Sequence, residues 1–403
     1  MEDHAATKEP SWGIEVVAEL ESLFVVMAVA ALTPVLVRLL PFAVPQVVIL
    51  LAGGVLVGPE VLNWAHYSHL ELLANLGLGF LFLLAGYELP PLLLRQRPGR
   101  LALRGWLISV VLALAVVGLL EVFGFVRSFI PVALALTTTA LGTLLPILRD
   151  NNMLSGTFGQ HMFAAGAVGE LGPVLALSVF LGANGSWESA LAITTVVVSA
   201  WIAARIPTWV AGTRISEIVT STSEDTTQSV LRWTITLLLG ALLLTADFGL
   251  DIVLGAFLAG MVLRRSGDHA SGTQLALLGK LDTVAYGFFI PIFFITSGME
   301  LDIVSIAENP ARLLVFFVLL LVVRGAPALL IYRRDLRLSE RWQLLFLSAT
   351  ALPLIVALTQ IGLENGTMLP ENAAALVGAG ALSVAVFPLV AIQIRRRTAQ
   401  VSV

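Results

Sequence analysis

The sequence predicts an all-α polytopic membrane protein of about 13 transmembrane helices, set out as six helices, a linker helix and six more. Three observations predict it. The 403 residues are 58% hydrophobic and only 12% charged, about half the charged share with which a soluble domain coats its surface. The apolar residues fall into runs of roughly 20, the length a helix needs to cross hydrocarbon, and not into alternating strands of about 10. Finally, short segments recur at a sequence offset of 212 residues. The composition also excludes a disulfide scaffold, with no Cys, and a collagen-like fibre, with no Gly period. A net charge of −4 argues against a nucleic-acid partner.

In chain order, residues 1–21 form an acidic extracytoplasmic tail with no cleavable signal, because a signal would begin basic. The first six spans cover 22–40, 44–58, 69–89, 101–122, 128–149 and 157–182, so that 22–182 is the first repeat. The linker helix covers 188–212. The second repeat, 230–394, holds spans 230–247, 250–264, 281–299, 311–332, 342–362 and 372–394, and 395–403 is a basic cytoplasmic tail. Spans 44–58 and 250–264 are short and rest partly on flanking charge. With these spans, 19 of the 23 Lys and Arg fall on one side of the membrane and Lys8, Arg127 and Arg312 on the other. Basic loops stay cytoplasmic, so the N-terminus is outside and the C-terminus inside a multi-pass plasma membrane of bacterial type.

Two charges lie deep within spans, away from the span ends where the others fall: Glu170, near the middle of 157–182, and Arg324, well inside 311–332. A charge at the bilayer centre costs at least about 2.5 kcal/mol and generally faces a cavity and a partner. One acid and one base at depth therefore suggest an interaction between them in at least one state. Glu170 reads as a proton or cation carrier, against the plainer reading of a pair that fastens two helices. Arg324 keeps its proton at physiological pH and reads as an electrostatic or structural partner.

Two spans carry helix breakers. Span 128–149 contains Thr137-Thr138-Thr139, Gly142 and Pro146. Span 342–362 contains Ser348, Thr350 and Pro353. β-Branched hydroxyl residues followed by Pro make weak helix, and their oxygens satisfy freed backbone groups or bind an ion. The two breaks correspond: Gly86-Tyr87-Glu88-Leu89 recurs as Gly298-Met299-Glu300-Leu301, and the same offset carries Thr138 onto Thr350. Leu51-Ala52-Gly53 likewise resembles Leu258-Ala259-Gly260. Broken helices at matching positions of two oppositely oriented halves are the plan of a secondary transporter. Around the acid, Gly166, Gly169 and Gly172 give one smooth helix face for close packing, and Pro173 frees a carbonyl near Glu170.

These residues resemble the monovalent cation:proton antiporter-2 family of sodium/proton and potassium/proton exchangers. The matching segments are Pro45 to Pro59, Leu83 to Leu89, Leu136 to Asp150, Gly255-Ala256-Phe257-Leu258-Ala259-Gly260, and Phe289-Ile290-Pro291-Ile292-Phe293-Phe294 followed by Gly298 and Asp302. The resemblance runs over about residues 22–394. It implies the sodium/proton antiporter-like fold, a homodimer, two broken helices crossing near Thr138 and Thr350, an ion-binding acid at Glu170 and a basic residue at Arg324. The family usually has Asp at the ion site, preceded by Asp, Asn or Gln, where this chain has Gly169-Glu170.

The expected function is exchange of Na+ or K+ for protons, not enzyme catalysis, with no cofactor and no metal beyond the transported cation. The mechanism is competition of proton and cation for Glu170, with Thr137, Thr138, Thr139 and Thr350 as oxygen ligands. Gly169, Gly172, Pro173 and Pro353 serve as packing or helix-break residues. One carboxylate implies electroneutral one-for-one exchange. A proton-coupled carrier or exporter of an organic solute on the same fold is the alternative, and a non-transporting scaffold and a channel are further ones. His161 reads as a helix-end histidine without a catalytic role, and His66 with His69 as a surface pair without metal.

Overall fold

The computed structural model describes residues 11–39, 45–88, 95–126, 129–180, 229–248, 252–267 and 279–401, together with residues 194 and 250. The linker helix expected at 188–212 lies outside them apart from residue 194, as does the start of the acidic tail. All regular structure among the described residues is helical. The chain divides into two compact units, residues 1–77 with 286–301, and residues 78–285 with 302–403.

The first unit contains α1 (Ser11–Leu39), α2 (Gln46–Val57), a short 3-10 turn (Tyr67–His69), the start of α3 (Glu71–Glu88) and the last part of α10 (Gly279–Met299). The sequence dictates the α2–α10 contact through glycine. A side chain at Gly54 would meet the Ile295 carbonyl, and one at Gly298 would meet the Leu51 carbonyl. Without Cβ atoms the two backbones touch, which is how helices associate where no water drives them together. The histidine pair sits in this unit with a polar partner: Ser22 Oγ lies 2.9 Å from His69 Nδ1, and the His66 and His69 rings meet edge to face.

The second unit holds α4 (Arg97–Val122), α5 (Phe129–Ala135), α6 (Leu141–Asp150), α7 (Gly156–Phe180), α8 (Ser229–Asp247) and α9 (Ile252–Gly267). After these come α11 (Ile303–Glu308), α12 (Pro310–Ile331), α13 (Leu338–Ala349), α14 (Pro353–Glu364) and α15 (Pro370–Val401). Here α3 meets α9 through the same device, with Gly86 against the Phe257 carbonyl and Gly260 against the Leu83 carbonyl.

Two expected spans are interrupted where the sequence places its breakers. Span 128–149 becomes α5 and α6 separated by the non-helical residues 136–140, and span 342–362 becomes α13 and α14 separated by 350–352. The local cause is visible at both. Thr137 and Thr138 donate their hydroxyls back to the Leu134 and Ala135 carbonyls, each at 2.8 Å, and so compete with the helix for its own acceptors. Pro353 lacks an N–H and opens α14 at its first turn, where no donor is required. A third irregularity is a π-helical stretch, Leu320–Gly325, within α12. The wider turn contains Arg324, and such insertions accompany functional positions.

Candidate ion-binding site

The two breaks meet in the second unit, and the crossing is built mainly from backbone. The Ala140 N–H donates to the Thr350 carbonyl at 2.8 Å, joining the first break to the second. The Thr139 hydroxyl donates to the Ser348 carbonyl at 2.6 Å, a second bond between them. All four of Thr137, Thr138, Thr139 and Thr350 are buried, at 0–1% exposure. A buried amide without a partner costs about 1–3 kcal/mol, so each break must find acceptors and donors, and each finds them on the other.

Glu170 completes the arrangement. Its Oε1 accepts from the N–H groups of Leu141 and Gly142, at 2.9 and 3.3 Å. These are the first two residues of α6, so the carboxylate sits on the free amides and positive dipole end of a half-helix. The residue is 8% exposed. A carboxylate held this way in the membrane is charge-compensated by backbone dipoles, and among the described residues it forms no ion pair.

Arg324 departs from the expected pairing. It makes no ion pair with Glu170. Its Nε donates to Thr139 Oγ1 at 2.8 Å and its Nη2 donates to the Ala165 carbonyl at 2.7 Å. The ion pairs seen among the described residues are Arg97–Asp335 and Arg312–Glu371, both away from the crossing. The physical reason is reach and capacity. A guanidinium carries five donors in a fixed fork, and here the fork spans from α7 to the first break, using a hydroxyl and a carbonyl. Arg324 and Glu170 are thus neighbours through shared elements, α7 and the first break, but not direct partners.

The glycine face of α7 explains how these parts come so close. A Cβ on Gly169 would fall 2.5 Å from both Arg324 Nη2 and Thr139 Oγ1. A Cβ on Gly172 would fall 2.5 Å from the Trp106 indole, and one on Gly166 would fall 2.7 Å from the Leu141 side chain. Three glycines over about two turns therefore admit the start of α6, the first break and α4 in turn. Pro173 contributes as its chemistry requires. Its missing N–H leaves the Gly169 carbonyl without a helical donor, and the Thr139 N–H takes that carbonyl at 3.1 Å.

Among the predicted site residues, then, Glu170, Thr139, Thr350, Arg324, Gly169, Pro173 and Pro353 line or shape one crossing, and Thr137 and Thr138 lie in its first break. Ser348, noted in the sequence beside the second break, is there too. Ser383 and the amides of Leu141 and Gly142 are also there, and sequence reading passed over them, since backbone groups and a single serine carry no charge to count. His161 lies in the second turn of α7 and is 3% exposed, with Nδ1 bonded to the Thr157 carbonyl at 2.8 Å and the ring edge-on to Tyr332. Among the described residues no group of three His, Cys, Asp or Glu is placed to hold a metal.

Two interrupted helices that cross, with one half-helix end aimed at a buried acid, define a transporter architecture. Comparison with known proteins supplies the family. The chain belongs to the sodium/hydrogen exchanger transmembrane family, whose profile matches residues 25–394, a family of transporters and not of enzymes. YjbQ of Bacillus subtilis, which carries a Na(+)/H(+) antiporter designation, is 26% identical over 75% of this chain and 51% of its own length. Cation/H(+) antiporter 17 of Arabidopsis thaliana is 27% identical over 69% of this chain and 36% of its own. The chain thus spans about half the length, or less, of these curated relatives. The Na(+)/H(+) antiporter of Enterococcus hirae is 25% identical over 70% of this chain and 72% of its own. In three dimensions the chain shares its fold with the sodium proton antiporter MjNhaP1 from Methanocaldococcus jannaschii, with a TM-score of 0.67 at 16% identity over 96% of this chain and 97% of that one.

Proposed function

We propose that this chain exchanges a monovalent cation, Na+ or K+, for a proton across the membrane, with Glu170 as the group that both occupy in turn. The observation that carries the reading is the Glu170 carboxylate seated on the Leu141 and Gly142 amides where the two breaks cross. It is a buried carboxylate with no ion pair among the described residues. A proton or a dehydrated cation neutralises it equally. Each loaded form therefore carries the same net charge, and the exchange is one for one and electroneutral.

Thr137, Thr138 and Thr350 supply oxygens beside the acid, since each hydroxyl donates to a carbonyl of its own helix and keeps lone pairs for a cation. Thr139 has a different part. Its oxygen receives the Arg324 guanidinium, and a fixed positive charge at 2.8 Å disfavours a cation there. Alternating access exposes Glu170 to the two faces in turn, in a homodimer with its N-terminus outside and its C-terminus cytoplasmic. The two halves, 22–182 and 230–394, are inverted repeats joined by the helix 188–212. The paired glycine contacts, Gly54 with Gly298 and Gly86 with Gly260, support that relation.

The test is flux in proteoliposomes under a pH gradient with Na+, K+ or Li+. The wild type acidifies or alkalinises the lumen in response to a cation, at a rate indifferent to membrane potential. Glu170→Gln, which keeps the shape and loses the charge, abolishes that response. Wild-type flux in the Gln variant overturns the proposal, and proton flux driven by an organic solute but by none of the three cations redirects it to that substrate class.

A further inference from the structure

The second break has an anchor on α15 that no part of the exchange reading uses. Ser383 is fully buried. Its Oγ accepts the Ala351 N–H at 3.1 Å, and its hydroxyl lies 3.2 Å from the Ala351 carbonyl and 2.7 Å from the Gly380 carbonyl. A hydroxyl has one hydrogen, so it serves one of those carbonyls at a time while still holding the amide. One turn before it, Gly380 leaves room for the Ala351 carbonyl, which a Cβ there would meet at 2.7 Å.

The Ala351 N–H belongs to the same peptide group as the Thr350 carbonyl. That carbonyl takes the Ala140 N–H at 2.8 Å. The next amide along the chain is Leu141, which donates to Glu170. A line of hydrogen bonds and peptide groups therefore runs from Ser383 through the second break and the first break to the carboxylate. Hydrogen bonds in series polarise and orient one another, and the loss of one loosens the next. Glu170 lies on α7 and Ser383 on α15, and each of these helices holds amides at or just beyond one break.

We infer that Ser383 is a positioning residue for the exchange site: it fixes the Thr350–Ala351 peptide, and through it the amides that hold Glu170. The inference rests on the reading of Glu170 as the shared proton and cation site. Its consequence is selective. A proton needs only the carboxylate, whereas a dehydrated cation needs the carboxylate and several oxygens in fixed places. Loosening the cradle therefore weakens the cation relative to the proton.

The experiment compares wild type, Ser383→Ala, Gly380→Ala and Glu170→Gln as full chains in proteoliposomes, measuring cation KM, maximal rate and the pH dependence of exchange. Ser383→Ala raises the cation KM about tenfold, the scale of one lost buried hydrogen bond, with a maximal rate within about twofold of wild type. Because protons then compete against a weaker cation site, the pH of half-maximal exchange at fixed cation moves up by about one unit, as a tenfold change in affinity requires. Gly380→Ala presses a methyl on the Ala351 carbonyl, in the adjoining peptide group of the same break, without removing the hydroxyl, and shifts KM in the same direction. Unchanged KM in both variants overturns the inference, including the case where the maximal rate alone falls, because a merely structural serine lowers the amount of working protein and not its affinity. Should Glu170→Gln retain exchange, the failure lies with the site reading. Should it abolish exchange while Ser383→Ala keeps its KM, the failure lies with Ser383 alone.

Discussion

The two broken helices are built alike and bound differently. The first break, residues 136–140, is tied down by charged groups: the Glu170 carboxylate takes the amides just beyond it and the Arg324 guanidinium takes the Thr139 hydroxyl within it. The second, residues 350–352, is tied only by neutral groups: the first break on one side and Ser383 on the other. The helix after the first break starts with two amides free for an anion. The helix after the second starts with Pro353, which has no amide to offer. Pro353 thus removes one of the free first-turn amides of the second half-helix, whereas the first half-helix offers its first two to the Glu170 carboxylate. That asymmetry means that the same substitution has unequal effects on the two sides.

The largest expected effect comes from cutting the charged strap of the first break. Thr139→Val keeps the side-chain volume and removes the oxygen that both receives Arg324 and donates to Ser348. It leaves a buried guanidinium N–H and a buried carbonyl unpaired, which costs about 2–3 kcal/mol. Thr350→Val, its counterpart at the second break, removes only a bond to the Phe346 carbonyl of its own helix and costs under about 1 kcal/mol. Thermal unfolding in detergent checks the pair: Thr139→Val melts well below Thr350→Val, and equal melting temperatures refute the charged strap.

A somewhat smaller loss follows from filling the space on α7. Gly169→Ala puts a methyl where Arg324 Nη2 and Thr139 Oγ1 lie, both at 2.5 Å. Overpacking of this kind costs about 1–3 kcal/mol. Arg324→Lys, with a slimmer head, relieves part of the clash, so the double variant recovers some of the melting temperature lost by Gly169→Ala. Additive losses in the double variant would show that the two residues do not share the space.

Much of this asymmetry was legible in the sequence, and the physical reasons are specific. The breaks were visible because three consecutive threonines, and a Ser-Ala-Thr run ahead of Pro353, are poor helix formers in any setting. Glu170 and Arg324 stood out because charge in an apolar run is costly and therefore rare. Pro173 announced a free carbonyl, which the structure locates at Gly169. What the sequence hid was pairing. It invites an acid to be matched with a base, yet Arg324 satisfies its donors on a hydroxyl and a backbone carbonyl, and every residue supplies a carbonyl. Ser383 was silent for a related reason. A single serine in an apolar helix bonds its own preceding turn in most settings, and only the fold shows that it also reaches the Ala351 amide. His161 does lie near the start of its helix, but its contact with Tyr332, distant in sequence, is likewise visible only in the fold.

The smallest effect sharpens the comparison most finely, because it separates the amides of the first break from the side chain that carries them. Gly142 gives Glu170 its second amide, but a Cβ built there meets nothing within 4 Å, and its φ is not positive. Gly142→Ala therefore keeps the N–H, adds a methyl into open space and removes the backbone freedom that glycine has in the unfolded chain. In a helix that exchange gains about 0.5–1 kcal/mol. The expected result is a melting temperature equal to or slightly above wild type, with cation KM unchanged. If Gly142→Ala instead raises KM as Ser383→Ala does, the half-helix must bend at Gly142 during transport, and the cradle is a moving part and not the fixed seat described above.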